Sequence, residues 1–194
     1  MLRSRCCRSN PLRLTETVAI IGAGPLGRWL ALAAARAGFR VFLEDVMPTN
    51  LHHAQEWLRG ELGPLALPSV AFVSTIEDAV READLAIDCV PDELESKLEI
   101  LWLLDRMAPP RTVLATPTTR LSIGDLASCT YRPEKCIAIV AEAGDLTGNA
   151  GAASREILLR TTMKTSRESV ELVERFWRGL GFLPTFQPEQ PPEP

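Results

Sequence analysis

Residues Val18–Val46 read VAIIGAGPLGRWLALAAARAGFRVFLEDV, and the order of elements in this stretch decides the fold. Val18–Ile21 is a short apolar run that ends in glycine, which makes it a buried strand by context. Leu26–Ala37 is alanine-rich, helical in propensity, and stopped by Gly38. Arg40–Leu43 is a second strand that runs into Asp45. Between the first strand and the helix, Gly22, Gly24 and Gly27 match the pattern G-x-G-x-x-G in the context that gives it meaning. The first glycine permits a tight turn, the second lets backbone approach a pyrophosphate, and the third lets helix and strand pack closely. Pro25 and Leu26 open the helix. Proline loses nothing there, because its missing donor would have been unpaired, and the helix N-terminus offers amides and partial positive charge to phosphates.

Asp45, at the end of the second strand, stands where a carboxylate receives the ribose hydroxyls. It would repel a 2′-phosphate, and its neighbours Glu44, Val46 and Met47 offer no arginine to accept one. The cofactor expected is NAD rather than NADP. An occluded site, or another nucleotide such as FAD, is the alternative. His52 and His53 follow as solvent-facing helix residues, and Trp29 and Trp57 as core or interface residues.

The alternation continues along the chain. Strands are expected at Ser69–Val73, Asp84–Val90, Arg111–Thr116 and Cys136–Ala141. Helices are expected at about Asn50–Glu61, with Asn50 as its cap, at Ile76–Glu82, and at about Asp92–Met107 before Pro109 and Pro110. Parallel strands need crossover connections, so the predicted class is α/β, a Rossmann-type, mostly parallel, doubly wound sheet in a single domain. Past the sixth strand, Glu156–Arg160 reads as a strand and Phe182–Phe186 as a closing one. Ser166–Gly181 reads as an amphipathic helix with Val170, Val173, Phe176, Trp177 and Leu180 on one side. The domain spans 17–186, between a basic leader (1–16) and a proline-rich tail (187–194), both expected to be disordered.

Composition narrows the partners. The formal charge of −4 gives no electrostatic reason to expect a nucleic acid. No apolar run is long enough to span a bilayer. The leader carries Arg3, Arg5, Arg8 and Arg13 with no acid and no continuous apolar run, so it reads as a frayed tail rather than a secretory signal, with a transit peptide as the alternative. Five cysteines, an odd number, and no export signal point to a reducing cytoplasm. Cys6 and Cys7 have no second pair to complete a metal set, and no metal site is expected.

The chain resembles the NAD-binding domain of the 3-hydroxyacyl-CoA dehydrogenases, including the lambda-crystallin-like gulonate dehydrogenases, from about Thr17 to Thr185. Its opening stretch follows the family closely. EADLAIDCVPDELESKLEIL (Glu82–Leu101) is similar to the family's fourth strand and following helix. There the resemblance implies cofactor contacts at Val90, Pro91, Asp92 and Lys97. TVLATPTTRLSIGDLASCTYRPEKCIAI (Thr112–Ile139) resembles the stretch around an Asn-Thr-Ser-Ser motif, here Pro117, Thr118, Thr119 and Arg120. Thr118 is implied at the cofactor, and Thr119 keeps a hydroxyl for the substrate side.

Departures from the family weigh against its chemistry. Its catalytic histidine opens a His-Phe-Phe-Asn-Pro run, and the matching residues here are Val140, Ala141, Glu142, Ala143 and Gly144. Valine has no titratable group and cannot take a hydroxyl proton. Strand alternation puts Glu142 nearest the vacant position, with Asp145 following, and a buried carboxylate there could serve as base. EAGDLTGNAGAAS has instead the composition of a solvated loop. Glu156 matches, at a longer spacing, the carboxylate that orients the family histidine. Pro117 loses an amide side chain and a backbone donor. The family's C-terminal helical domain is expected to be absent. The reading is an NAD(H)-binding protein without standard catalysis as an isolated chain. The alternative is an oxidoreductase acting on an acyl-CoA or small hydroxy acid, with a substitute base or a partner-supplied domain. Apolar surface around the sixth strand and last helix, at Phe176, Trp177 and Phe182, is expected to form a homodimer or meet a hetero-partner.

Overall fold

The alternating pattern becomes one sheet in the computed structural model, which describes residues 16–141 and 155–189. Its strands are β1 (Thr17–Ile21), β2 (Arg40–Glu44), β3 (Val70–Val73), β4 (Leu85–Asp88), β5 (Val113–Pro117), β6 (Cys136–Val140), β7 (Arg155–Thr161) and β8 (Phe182–Pro188). They lie in the order β3-β2-β1-β4-β5-β6-β7-β8. β1 to β6 are parallel, β7 runs antiparallel to β6, and β8 is parallel to β7. The helices are α1 (Pro25–Arg36), α2 (Pro48–Ala66), α3 (Ile76–Val80), α4 (Leu94–Met107), α5 (Ile123–Ser128) and α6 (Arg167–Gly179).

Strand alternation sorts the core into two layers. Val18 and Ile20 of β1, Val41 and Leu43 of β2, and Leu85 and Ile87 of β4 pack with Leu30 and Ala34 of α1 and with α6. Ala19, Ile21 and Ala86 point the other way, onto Ala79, Leu101, Leu104 and Leu126 of α3, α4 and α5. Helices therefore cover both faces. The chain winds outward from β1 through β2 to β3, then crosses to β4 on the other side of β1. That reversal leaves a crevice beyond the carboxyl ends of β1 and β4.

Two expectations are corrected, and one element is new. Phe176, Trp177 and Phe182 are interior, at 1%, 0% and 4% exposure, and so are not interface residues. β7 and β8 extend the sheet past β6, and α6 lays its aromatic face on that extension, with Trp177 and Phe182 ring centroids 5.2 Å apart. Asn50 is not a cap, because α2 begins at Pro48. The short helix α5 was not anticipated, although Ser122 caps it by accepting the Asp125 N–H at 3.1 Å. The leader's Cys6 and Cys7, and Glu142 and Asp145, lie outside the described residues. Among the described residues no helix is long and apolar enough to cross a membrane, and no group of three or more His, Cys, Asp or Glu could hold a metal.

Candidate functional site

A cleft of about 850 Å³ opens at the crevice between β1 and β4. Its floor is the glycine turn. Gly22 has φ of +105°, a conformation that side chains disfavour, and its N–H donates to the Glu44 carbonyl at 2.8 Å. A Cβ on Gly27 would stand 1.8 Å from the Gly22 carbonyl oxygen, so only glycine lets α1 start this close to β1. Gly27 thus shapes the turn from beneath and is not on the cleft wall. Gly24 is different: a Cβ there would meet nothing within 4 Å. Gly24 is also the N-cap of α1 and supplies no side-chain bond, with Pro25 next. Gly22, Gly24, Pro25 and Leu26 line the cleft, and an uncapped helix N-terminus facing open space suits a phosphate group.

Asp45 follows β2 at the cleft edge and is 8% exposed. Its Oδ2 accepts the Ala23 N–H at 2.9 Å, and its Oδ1 accepts the Met47 N–H at 2.8 Å. The Asn50 amide reaches both oxygens, at 3.2 and 3.1 Å. Two of these partners are fixed backbone, whereas Asn50 is an exposed side chain that can turn aside. The donors of a ribose diol would suit the positions Asn50 takes.

The far side of the cleft is built from the ends of β4 and β5. Cys89, Val90, Pro91 and Asp92 line it, facing Pro117, Thr118, Thr119 and Arg120. Thr118 is 2% exposed, and its Oγ1 accepts the Arg120 and Leu121 N–H groups at 3.3 and 3.0 Å, which shapes this turn. Asp92 Oδ2 accepts the Thr119 N–H at 3.3 Å, and the Arg120 Nη2 donates to the Asp92 carbonyl at 2.8 Å. Asp92 Oδ1 is buried without a partner among the described residues. A cleft-lining acceptor left open in this way suits a donor on a ligand.

Two of the expected site residues lie elsewhere. Lys97 is fully buried and its Nζ meets Asp88 Oδ1 at 2.6 Å, so it braces the interior behind the cleft instead of lining it. Burial raises the Asp88 pKa against the opposing pull of Lys97, and burial raises the Cys89 thiol as well, which makes Cys89 an inert wall residue. Glu156 is exposed on β7 opposite Leu183 of β8 and does not line the cleft. His52 and His53 are exposed on α2.

Glu44 was missed as a site residue. It ends β2 between Ile21 of β1 and Val73 of β3, is 5% exposed, and lines the cleft with Ile21, Ile76, Val90 and Ile100. Burial, and secondarily the charge of Asp45, push its pKa up to about 7. The signal was present in the sequence: alternation puts Glu44 on the same face as Phe42, and an acid there faces the interior.

The family model for the NAD-binding domain of 3-hydroxyacyl-CoA dehydrogenase matches residues 17–139. The chain belongs to this family. It is 31% identical over 137 residues to a 3-hydroxybutyryl-CoA dehydrogenase of Bradyrhizobium diazoefficiens, covering 64% of this chain and 46% of the relative. It is 29% identical over 182 residues to the 5-formyl-3-hydroxy-2-methylpyridine 4-carboxylate 5-dehydrogenase of Mesorhizobium japonicum, covering 88% and 57%. A solved diketoreductase structure superimposes with a TM-score of 0.77 at 26% identity, covering 91% of this chain and 65% of that one. The chain spans about half the length of the curated relatives it matches.

Family membership makes this an NAD-binding domain related to the 3-hydroxyacyl-CoA dehydrogenases. At the end of β6, Val140 occupies the position where the resemblance puts the family's histidine, and Ala141 next to it is on the cleft wall. No histidine lies on that wall among the described residues.

Proposed function

We propose that this chain binds NAD(H) across the cleft, in preference to NADP(H), and does not perform 3-hydroxyacyl-CoA dehydrogenation on its own. The observation that carries the second half is Val140, an aliphatic side chain where a proton acceptor would be needed. Several features support the first half. Gly22, Gly24, Pro25 and Leu26 would receive the pyrophosphate, Asp45 the adenosine ribose, Val90 the adenosine side, and Pro91, Asp92 and Thr118 the far part of the dinucleotide. Asp45 makes the ribose end acidic, which disfavours a 2′-phosphate. Bound NAD supplies a two-electron acceptor, and the residues described here bind and orient it.

A second reading is favoured by the polar turn Thr118–Thr119–Arg120 on the cleft wall, where a substrate would sit. In that reading Thr119 holds a 3-hydroxyacyl-CoA or a small hydroxy acid, and Glu142, which follows Ala141 in the chain, takes the proton. One experiment separates the two: the purified protein is titrated with NADH and NADPH, then incubated with NADH and a panel of 3-oxoacyl thioesters and oxo acids. Tight NADH binding without NADH consumption supports the first reading. Sustained consumption overturns it, and equal or absent binding of the two cofactors overturns the cofactor preference.

A further inference from the structure

Glu44 is a buried acid whose oxygens have no hydrogen-bond or ion-pair partner among the described residues, and it sits on the wall of the cleft. Its carboxyl group opens onto the cleft, so a ligand that displaces water there must offer it a polar partner. Its surroundings are apolar: Ile21, Ile76, Val90 and Ile100 share that part of the wall. They form a slot one step beyond Asp45, and a dinucleotide with its pyrophosphate on the glycine turn and its ribose on Asp45 puts its base there. A flat heterocycle satisfies both halves of the slot, since its faces are apolar and its edge is polar.

We propose that Glu44 is a specificity-determining residue that reads the edge of the cofactor's adenine base. The proposal rests on the NAD(H) reading above. One oxygen accepts from the exocyclic amino group, and the other, carrying the proton, donates to the adjacent ring nitrogen. The pairing requires the acid form, which burial favours here up to about pH 7. Once ionised, the group has no proton to give, and its charge opposes the lone pair of the ring nitrogen.

The neighbouring charges leave this role to Glu44. Asp45 is the charged neighbour that bears on it, and it raises the affinity of Glu44 for its proton. From α3, Ile76 reaches the slot, while Arg81 pairs with Asp78 at 2.7 Å on the exposed side. From α4, Ile100 reaches it, and Lys97 is held by Asp88. On α2, His52 lies 3.5 Å from Glu56, and both are exposed along with His53.

The test measures NADH affinity and NADH-induced change in melting temperature at pH 6 and pH 8.5, in the wild type and in Glu44→Gln. A parallel titration uses the reduced dinucleotide with hypoxanthine in place of adenine. The wild type should bind NADH roughly tenfold more weakly at pH 8.5 than at pH 6. Glu44→Gln, whose amide offers one donor and one acceptor at every pH, should bind equally well at both. Hypoxanthine presents a ring N–H and a carbonyl, so the acid form pairs with it in the reverse sense and the ionised form keeps the ring N–H contact; its affinity should fall by less across the same range. A flat wild-type profile, the same step in Glu44→Gln, or the same step with hypoxanthine overturns the proposal. Failure to bind NADH at any pH overturns the cofactor reading itself, and the two failures are thereby distinguished.

Discussion

The backbone N–H of Ala23, inside the glycine turn, donates to Asp45 Oδ2 across 2.9 Å, so the glycine turn and Asp45 are one mechanical unit. Asp45→Ala should therefore do more than remove a ribose contact. It leaves a buried N–H unpaired and should lower stability by about 1–3 kcal/mol. It should also weaken NADH binding and narrow the preference over NADPH. Thermal denaturation and calorimetric titration of the variant check both effects. A variant that keeps full stability would show that the Ala23 contact contributes little.

Gly24 and Gly27 should respond in opposite ways to the same methyl group. Gly27→Ala drives a Cβ into the Gly22 carbonyl, 1.8 Å away, and should destabilise the fold by about 3 kcal/mol or more. Gly24→Ala meets only open space and should cost under about 1 kcal/mol. Its methyl would intrude where the pyrophosphate is expected, so NADH affinity should fall by about tenfold or more. Melting curves and binding isotherms on the two variants give the comparison. Equal destabilisation by the two would contradict it.

What the sequence disclosed here depended on whether a residue's role was local. The glycine turn and the strand–helix alternation are short-range patterns, and most of the elements read lie within a residue or two of where they were read, although α2 runs on to Ala66 instead of ending near Glu61. Lys97 could not be placed from its helix alone, because its partner Asp88 lies on a strand and the pair closes only when α4 packs on β4. Phe176, Trp177 and Phe182 read as exposed because the packing of α6 against the sheet's extension by β7 and β8 is a long-range contact that the strand and helix patterns do not show. Asn50 fits a cap by residue type, but the helix starts earlier, at Pro48, and the Asn50 amide turns back to Asp45 instead. Glu44 was legible in its alternation but passed over, since its neighbour Asp45 carried the expected motif.

The pair Asp88–Lys97 is fully buried at 2.6 Å, which makes its two halves interdependent. Lys97→Met alone strands Asp88 in the interior and should cost about 3–5 kcal/mol. Replacing both, as Asp88→Leu with Lys97→Met, removes the uncompensated charge and should recover much of that loss. Chemical denaturation of the single and double variants measures the coupling. Additive losses would mean that the two groups do not act as a pair.

Glu44 also makes stability depend on pH in a direction opposite to that of most carboxylates. Burial, and secondarily the charge of Asp45, push its pKa from the ordinary carboxyl value of 4.5 up to about 7, so the folded protein holds this proton more tightly than the unfolded chain does. Its contribution is therefore present below about pH 4.5 and is lost as pH rises to about 7, then stays constant. The full difference corresponds to roughly 3 kcal/mol as an upper bound. Glu44→Gln should remove this dependence, so ligand-free melting temperatures of variant and wild type should diverge between pH 5 and pH 8 in favour of the variant. Parallel curves would show that Glu44 ionises as an ordinary surface acid.

Chemistry at the far end of the cleft should be absent or slight. Oxidising a hydroxyl requires a group that accepts its proton, and losing a general base costs about a hundred- to ten-thousand-fold in rate. Val140 cannot supply that group. Val140→His should not restore the family's rate, because positioning matters as much as the base. Pro117 brings no side-chain amide to the adjacent turn, and Arg120, where the resemblance puts a serine, is held by the Asp92 carbonyl at 2.8 Å. Initial rates with 3-hydroxyacyl-CoA and NAD should thus be at trace level for the wild type and remain low for Val140→His. Strong turnover by the wild type, abolished by Glu142→Gln and retained in Glu156→Gln, would instead identify Glu142 as the base and return the protein to the catalytic members of its family.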